Sequence, residues 1–494
     1  MDPLVTVAQG QVRGAEKNGV LSFKGIPYAA APFGPNRFAA PQPAPEWDGI
    51  RDALEYGPTA PAGPYPAALE ALLPEPRIPG EECLNLNVWT PALDGELRPV
   101  LVWIHGGGFT NGSSAVSGYD GTRFARDGLV FVSINYRLGA DGFLLLDDAP
   151  ANRGLLDQIA ALRWVRENIA AFGGDPAAVT IAGESAGGMS VTTLLSMPAA
   201  EGLFQRVIAE SGAGHHVVSR EVAAKVTAAF AAQLGVEPTA RGFGAVPLDA
   251  LIAGQQTLSA TITGQPDPVK WGELSRNLMV FEPAIDGAIV PARPIDAIAA
   301  GAGSGVDVLT GSNADEYALF LVPTGAAGFI DDGMLAGAVG LVGGDPEQVI
   351  AAYRAAKPDA TAGELLIATV GDWFFRIPAI RVAEARQAQG ADTFVYEFLW
   401  PSPQFDGQLG ACHALEVGFA FDNLDDPAAD ALVGSAPPQA LADEMHGAWV
   451  AFVKTGSPGW SAYGAQRTVR QFDETSATVN DPGAAQRLVW DGVR

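Results

Sequence analysis

The chain has 494 residues, 48% hydrophobic and 17% charged, which is enough apolar material for a large core and excludes a disordered protein. Its formal net charge of −26 argues against binding to nucleic acids or anionic membrane surfaces, because an acidic protein repels both. Two cysteines, Cys83 and Cys412, are too few for a disulfide framework or a cysteine-based zinc site. Residues 1–11 lack the regions of a secretory signal, and the most apolar stretch, 333–344, is too short to cross a bilayer. We therefore expect a cytoplasmic protein.

The first hundred residues are predicted to form short strands joined by turns, because apolar and polar residues alternate there. The strand candidates of this N-terminal β-hairpin region are 4–7, 10–13 and 20–25. The segment 57–79 is rich in proline and alanine and has few strand signals. We expect it to be a long surface loop, and loops of this length often shape binding sites.

Beyond residue 100, short apolar segments typical of buried strands alternate with segments of helical periodicity. An apolar stripe at every third or fourth position predicts a helix over 155–172. This alternation predicts an α/β fold in which helices flank a large, mostly parallel central sheet. The strand candidates are 100–104, 130–134, 179–182, 207–209, 306–310 and 393–398.

No linker divides the chain, so we expect a single domain over residues 1–494. Residues 219–277 have the pattern of helices and loops, and we expect them to form a cap-like insertion at one end of the sheet. Residues 439–454 are predicted to form a terminal amphipathic helix, because Gly456 and Pro458 follow as stop signals.

Residues 183–187, Gly-Glu-Ser-Ala-Gly, fit the G-x-S-x-G nucleophile elbow. A strand candidate precedes them, and a helix-compatible run, 189–197, follows. Glycines let strand and helix approach closely at this strained turn. The serine hydroxyl is thereby exposed at a helix N-terminus, where partial positive charge favours an anion. We predict that Ser185 is a catalytic nucleophile.

A second glycine-rich loop, His-Gly-Gly-Gly-Phe over residues 105–109, follows the strand candidate 100–104. Glycines in such a loop let backbone N–H groups converge on one point without obstruction by side chains. We expect the N–H groups of Gly107, Gly108 and Ala186 to stabilise the negative charge that develops on an attacked carbonyl oxygen.

A serine nucleophile needs a base, and in this type of site the chain order is serine, acid, histidine. That order leaves His215, His216, His413 and His446 as candidates. His446 falls in the predicted terminal helix, and His215 and His216 follow the serine too closely. His413 lies in a loop of small residues after the strand candidate 393–398, so spacing favours His413.

The acid is expected in a loop just past a strand. The strand candidate 306–310 leads to two adjacent acids, Asp315 and Glu316, and spacing does not choose between them. Either carboxylate would hold the imidazole in the required tautomer and stabilise the imidazolium.

Together with further motifs, these residues make the chain resemble the type-B carboxylesterases, the carboxylesterase and cholinesterase group of the α/β-hydrolase fold. Among them, the chain resembles the bacterial para-nitrobenzyl esterases most. The resemblance covers nearly the whole chain. Its motifs are at 23–29, 81–89, 105–109, 135–139, 152–158, 172–176, 183–187, 204–212, 314–317 and 413–421.

The resemblance implies a catalytic triad of Ser185, Glu316 and His413, since the acid of the family is the glutamate of a matching Asp-Glu pair. It also implies that Glu184, the residue before the serine, lines the pocket without joining the triad. The mechanism implied requires no cofactor and no metal.

The resemblance further implies that Ser211 supports the catalytic glutamate. Two internal ion pairs of the family map onto Arg37 with Glu82 and onto Arg137 with Asp157. These two pairs are expected to have structural roles.

Two departures from the family pattern are informative. The family's N-terminal disulfide uses a cysteine that matches Cys83, but no cysteine precedes it here, so we expect a free, buried thiol. Cholinesterases bind a quaternary ammonium through a tryptophan in this region. Residues 56–82 contain no tryptophan, so specialisation for choline esters is not expected.

We therefore expect a serine carboxylesterase that cleaves small to medium acyl esters, as a monomer or small homo-oligomer. The alternative is an acyl hydrolase of the same fold that acts on a specific amide, carbamate, thioester or bulky natural ester. A binding protein of the same family is disfavoured, because all candidate catalytic residues are present. The expected pocket walls are Phe109, His215, Phe320, Phe374 and Phe375.

Overall fold

The computed structural model describes residues 2–494, and fourteen strands are found in that range. They are β1 (Leu4–Val7), β2 (Gly10–Arg13), β3 (Ala15–Lys17), β4 (Val20–Pro27), β5 (Ile50–Asp52), β6 (Asn85–Thr90), β7 (Arg98–Ile104), β8 (Val130–Ile134), β9 (Gly174–Glu184), β10 (Arg206–Glu210), β11 (Asp307–Asn313), β12 (Thr393–Phe398), β13 (Thr468–Phe472) and β14 (Ala477–Asn480).

Eleven of these strands form one large sheet in the order β14-β13-β12-β11-β10-β9-β7-β8-β6-β4-β3. The seven consecutive strands from β13 to β8 are parallel to one another. The remaining pairs at both edges are antiparallel. A separate small sheet has the order β1-β2-β5. The predicted large, mostly parallel sheet and the N-terminal hairpin are thus confirmed.

Twenty α-helices connect and cover these strands within residues 2–494. They are α1 (Ala67–Glu70), α2 (Thr122–Arg126), α3 (Gly139–Phe143), α4 (Arg153–Asn168), α5 (Ala186–Leu195), α6 (Arg220–Leu234), α7 (Ala240–Gly244), α8 (Leu248–Gly264), α9 (Pro268–Trp271), α10 (Leu274–Asn277), α11 (Pro294–Ala299), α12 (Ala318–Leu321), α13 (Asp332–Leu341), α14 (Pro346–Ala356), α15 (Ala362–Gly371), α16 (Ile377–Ala388), α17 (Val417–Ala420), α18 (Asp430–Val433), α19 (Gln439–Thr455) and α20 (Ala484–Leu488). A π-helical turn, Asp372–Arg376, joins α15 to α16.

The apolar core lies on both faces of the large sheet. On β7, Val100, Val102 and Ile104 belong to one buried cluster, while Leu101 and Trp103 belong to the other. Successive side chains of a strand point to opposite faces, so a strand that is apolar at every position is buried on both sides. This explains why the central strands are continuous apolar runs.

The buried ion pair between Arg137 and Asp157 is present as predicted, with Nη2 2.7 Å from Oδ1. The other predicted pair, Arg37 with Glu82, is wrong. Arg37 instead reaches Asp141 in the first turn of α3, at 2.9 Å. Glu82 is half exposed and pairs with Arg51 on β5 at 2.5 Å.

Both cysteines, Cys83 and Cys412, are buried and form no disulfide with each other. This confirms the prediction of a free, buried thiol at Cys83. None of the helices in residues 2–494 combines the length and the hydrophobicity that a membrane span requires.

Candidate active site

The carboxyl ends of four parallel strands bring the candidate residues to one edge of the sheet. Ser185 directly follows β9, and the glycine-rich loop 105–112 directly follows β7. Glu316 lies three residues after β11, and His413 lies in the loop after β12. Open parallel sheets bind ligands outside the carboxyl ends of their strands, so this edge is the expected location of a site.

Ser185 occupies a sharp turn between β9 and α5. Its φ of 56° and ψ of −123° lie outside the regions that side-chain-bearing residues normally adopt. The backbone N–H of Ser185 donates to the Glu210 carbonyl oxygen at 2.9 Å, which ties the turn to β10. Its side chain is only partly buried, and it lines a large cavity.

The glycines on either side of Ser185 are needed because the elbow packs directly on β7. A Cβ atom on Gly187 would lie 2.0 Å from the Ile104 carbonyl oxygen, and one on Gly183 would lie 2.5 Å from the same atom. Both distances are far below van der Waals contact. Only glycine therefore lets α5 begin this close to the neighbouring strand.

The glycine-rich loop after β7 lines the same cavity. Gly107 and Gly108 are partly exposed and line it, with φ values of 106° and 60°. Ala186 is the first residue of α5, where a helix leaves its N–H groups without internal partners. Within residues 2–494 we find no acceptor for the N–H groups of Gly107, Gly108 or Ala186. In the described chain, the N–H groups of two residues of the cavity lining, Gly107 and Gly108, and that of Ala186, which follows Ser185, are thus unpaired.

His413 and Glu316 are in direct contact. Nδ1 of His413 lies 2.6 Å from Oε2 of Glu316, and both side chains are almost fully buried. Oε1 of Glu316 accepts the backbone N–H of Asn313 at 2.9 Å. A carboxylate held in this way fixes the orientation of the imidazole and its Nδ1–H tautomer. The rings of Phe375 and Phe320 lie 4.6 and 5.4 Å from the His413 ring.

Asp315, the other candidate acid, points elsewhere. Its Oδ2 accepts the backbone N–H of Ala411 at 3.1 Å, and its Oδ1 lies 3.4 Å from Nζ of Lys357. No hydrogen bond joins Asp315 to the described His413 side chain. Of the two adjacent acids, only Glu316 is therefore brought to the histidine.

Glu184 approaches the opposite nitrogen of the histidine. Its Oε1 lies 3.1 Å from Nε2 of His413, whereas no hydrogen bond joins the described side chains of Ser185 and His413. Catalytic hydrogen bonds are often long until substrate binds.

Burial raises the pKa of Glu184. Burial by itself lowers the pKa of His413, but the carboxylates of Glu184 and Glu316 more than offset this, so that pKa is raised.

No hydrogen bond joins Ser211 to the catalytic candidate Glu316 in the described chain, so any support from Ser211 would be indirect. Its hydroxyl donates to Oε1 of Glu416 at 3.1 Å, and Nδ2 of Asn313 donates to Oε2 of the same residue at 2.5 Å. Glu416 is fully buried, and burial raises its pKa. Asn313 contacts both glutamates, so it links Glu416 to Glu316. Sequence reasoning missed Glu416, because its partners Ser211 and Asn313 lie 205 and 103 residues away in the chain.

The cavity in front of Ser185 has a volume of about 490 Å³ and is mostly apolar. Three of the predicted wall residues, Phe320, Phe374 and Phe375, do line it. Leu278 and Met279 lie in its wall as well, just after the segment 219–277, and sequence reasoning gave no signal for either.

Two other predicted wall residues, Phe109 and His215, do not line this cavity. The positive φ of Phe109, 62°, turns its side chain into the core, where its ring packs on Phe143 at 5.0 Å. His215 is partly buried and is not among the lining residues. Its neighbour His216 contacts the wall instead, through the carbonyl oxygen of Phe374 at 2.9 Å.

The charged groups that line the cavity are acidic or belong to His413. Glu75 and Glu184 are its two carboxylates, and no lysine or arginine of the described chain contributes to the wall. Among residues 2–494, no group of three or more His, Cys, Asp or Glu side chains is arranged to hold a metal ion.

A sequence profile of the carboxylesterase family matches residues 1–334 and 341–483. The para-nitrobenzyl esterase of Bacillus subtilis (strain 168) is 38% identical, with 98% of this chain and 97% of that protein covered. A medium-chain fatty acyl-CoA hydrolase precursor of Anas platyrhynchos is 32% identical, with 99% of this chain and 92% of that protein covered.

The crystal structure of a Geobacillus stearothermophilus carboxylesterase superimposes with a TM-score of 0.86, at 38% identity and with 99% of both chains covered. The fold is therefore the α/β-hydrolase fold. A solved para-nitrobenzyl esterase structure gives the same TM-score at 37% identity. The chain belongs to the carboxylesterase family and is a carboxylic-ester hydrolase.

Proposed function

We propose that the chain cleaves small to medium, uncharged acyl esters through an acyl-enzyme intermediate on Ser185. The observation that carries this proposal is the 2.6 Å contact between His413 and Glu316 at the sheet edge that also holds Ser185. A serine at a strained elbow, a histidine oriented by a buried carboxylate and unpaired N–H donors are the parts that acyl transfer requires.

In the first half of the reaction, the Ser185 hydroxyl attacks the ester carbonyl while His413 takes its proton. Glu316 holds the imidazole and stabilises the imidazolium. The N–H groups of Gly107, Gly108 and Ala186 donate to the developing oxyanion. His413 then protonates the leaving alcohol.

In the second half, a water molecule attacks the acyl-enzyme while His413 takes its proton. The same N–H groups stabilise the second oxyanion, and Ser185 leaves with the proton from His413. No step needs a metal or an organic cofactor.

The lining of the cavity indicates which esters bind. Two carboxylates, Glu75 and Glu184, and an apolar wall disfavour ligands with negative charge, and no basic side chain of the described wall offsets them. Coenzyme A thioesters carry several phosphate charges. We therefore propose uncharged esters as substrates, although one relative is named as an acyl-CoA hydrolase.

The test compares p-nitrophenyl esters from acetate to palmitate with coenzyme A thioesters of the same acyl groups. We expect fast turnover of the neutral esters, highest from acetate to hexanoate, and a kcat/KM at least about 100-fold lower for the coenzyme A thioesters, because the acidic cavity repels their phosphates. S-phenyl thiobutyrate, an uncharged thioester, is the matched control and should be cleaved. Equal turnover of butyryl-CoA and S-phenyl thiobutyrate would contradict the proposed selectivity.

Replacing Glu184 with glutamine is expected to move the acid limb of the kcat/KM profile to lower pH. His413 must be neutral to act as a base, and the Glu184 carboxylate is one of the two groups that raise its pKa. Removing that carboxylate lowers the pKa of His413, so activity persists further into the acid range. The matched control is Glu201→Gln, which removes an exposed carboxylate. An acid limb that stays in place or moves to higher pH refutes this effect of Glu184.

We also propose that residues 1–494 form one domain and that 219–277 is its cap-like insertion. Asn277, the last residue of α10, lines the cavity. Gln255 on α8 accepts the backbone N–H of Ala140, and Gln256 donates to the Pro64 carbonyl oxygen at 3.2 Å. These contacts support an insertion that is built into the site.

A further inference from the structure

The loop 105–112, which carries the proposed oxyanion donors, is fixed by the surrounding chain at three points. At its start, the Tyr136 hydroxyl donates to the His105 carbonyl oxygen at 2.9 Å. In its middle, the Gly139 N–H donates to the Phe109 carbonyl oxygen at 2.7 Å. At its end, the third anchor comes from the loop segment 57–79 and faces the cavity.

The third anchor is Glu75. Its Oε1 accepts the backbone N–H of Gly112 at 2.6 Å, and its Oε2 accepts Nδ2 of Asn111 at 3.1 Å. Nδ2 of Asn111 also donates to the Gly63 carbonyl oxygen at 2.7 Å, so two points of the same segment hold this turn. A carboxylate that accepts two N–H groups forms stronger hydrogen bonds than a neutral acceptor does.

The turn that Glu75 holds is packed tightly against the oxyanion glycines. A Cβ atom on Gly107 would lie 2.2 Å from the Asn111 carbonyl oxygen, and one on Gly112 would lie 2.2 Å from the Gly106 carbonyl oxygen. The Gly107 carbonyl oxygen also accepts the N–H of Asn111 at 2.9 Å. A displacement of the turn at Asn111 is therefore passed directly to Gly107.

We propose that Glu75 is a positioning residue, which fixes the N–H groups of Gly107 and Gly108 through the Asn111–Gly112 turn. This inference rests on the proposed oxyanion hole. Donors contribute to the rate only if they are held in place before the charge develops, so loosening them reduces stabilisation of the transition state more than binding of the substrate.

The test compares Glu75→Ala and Glu75→Gln with Glu70→Ala, an exposed glutamate of α1 in the same segment. For Glu75→Ala we expect kcat for p-nitrophenyl butyrate to fall about 10- to 100-fold, with KM changed less than about threefold, since small misplacements of catalytic groups are costly. Glutamine keeps an acceptor for the Gly112 N–H but turns its NH₂ toward Asn111, so Glu75→Gln should be intermediate. Glu70→Ala should match the wild type.

A second readout separates positioning from a general structural role. A trifluoromethyl ketone forms a tetrahedral adduct whose oxygen occupies the oxyanion hole, whereas the matching methyl ketone largely remains a ground-state ligand. We expect Glu75→Ala to weaken binding of the trifluoromethyl ketone by the same factor by which it lowers kcat. Binding of the methyl ketone should weaken by less than about threefold. Loss of affinity for both ketones alike would overturn the proposal, as would unchanged kcat.

Two further comparisons keep the result decisive. If Glu75→Ala does not fold, as judged by its thermal unfolding midpoint, Glu75→Gln decides by the same two readouts. Ser185→Ala, assayed in parallel, tests the proposed function separately. If Ser185→Ala is inactive while the Glu75 variants are fully active, only the role of Glu75 is refuted. If Ser185→Ala is active, the proposed mechanism itself is refuted.

Discussion

Replacing Ser185 with alanine is expected to lower kcat for p-nitrophenyl butyrate by about 10⁵-fold or more, the largest effect of any single substitution in this site. The alanine has no hydroxyl to form the acyl-enzyme. The residual rate comes from direct attack of water on the bound ester. The oxyanion donors and substrate binding still accelerate that attack. Steady-state release of p-nitrophenol measures the effect directly.

Ser190→Ala is the matched control, because Ser190 lies one turn further along α5, is buried and does not line the cavity. We expect its kcat to stay within a few-fold of the wild type. If Ser185→Ala retained a tenth of the wild-type rate while folded, Ser185 would not be the nucleophile.

Replacing Glu316 with glutamine is expected to lower kcat by about 10³- to 10⁴-fold, the second largest effect. The Glu316 carboxylate lies 2.6 Å from Nδ1 of His413, where an amide either favours the wrong tautomer or leaves the imidazolium without a counter-charge. Because Glu316 is buried, bulk solvent is too far away to compensate for the lost charge.

The adjacent acid provides the control for that experiment. Asp315→Asn removes a carboxylate that contacts the Ala411 N–H and Lys357 and lies outside the cavity. We expect it to lower kcat less than about tenfold, since its contacts are structural. If Asp315→Asn were the more damaging of the two changes, the assignment of the acid would be reversed.

The parts of the fold that could be predicted are those with a strong local pattern. The strands β8 and β12 have the predicted bounds, because short runs rich in β-branched and aromatic residues specify buried strands. Strand β6 was missed, since it contains Asn85 and Asn87, and asparagine is depleted in strands. The structure compensates at Asn87, whose Nδ2 donates to the hydroxyls of Ser114 and Ser133.

The short strands β3, β5, β13 and β14, which lie at a sheet edge or next to one, were also missed. They have three to five residues each, and most of their side chains are not buried. Their pairing is decided by neighbouring strands and not by their own sequence, so no local periodicity marks them.

In the candidate site, too, local patterns could be predicted and contacts between distant parts of the chain could not. The glycine patterns around Ser185 and over 105–109 are local, and the structure places both at one cavity. Glu75 meets Asn111 across 36 residues, and Glu416 meets Ser211 across 205, so neither partner can be found from spacing. The direction of the Phe109 side chain depends on a positive φ, which the sequence does not predict.

Covalent labelling can locate the nucleophile of the proposed mechanism. The wild-type enzyme is labelled with a fluorophosphonate ester, which phosphonylates an activated serine, and is then digested and analysed by peptide mass spectrometry. If Ser185 is the nucleophile, we expect one adduct per chain, on the peptide with Ser185, and none in Ser185→Ala. An inactivated enzyme with its adduct on another residue, or full labelling of Ser185→Ala, would contradict that assignment.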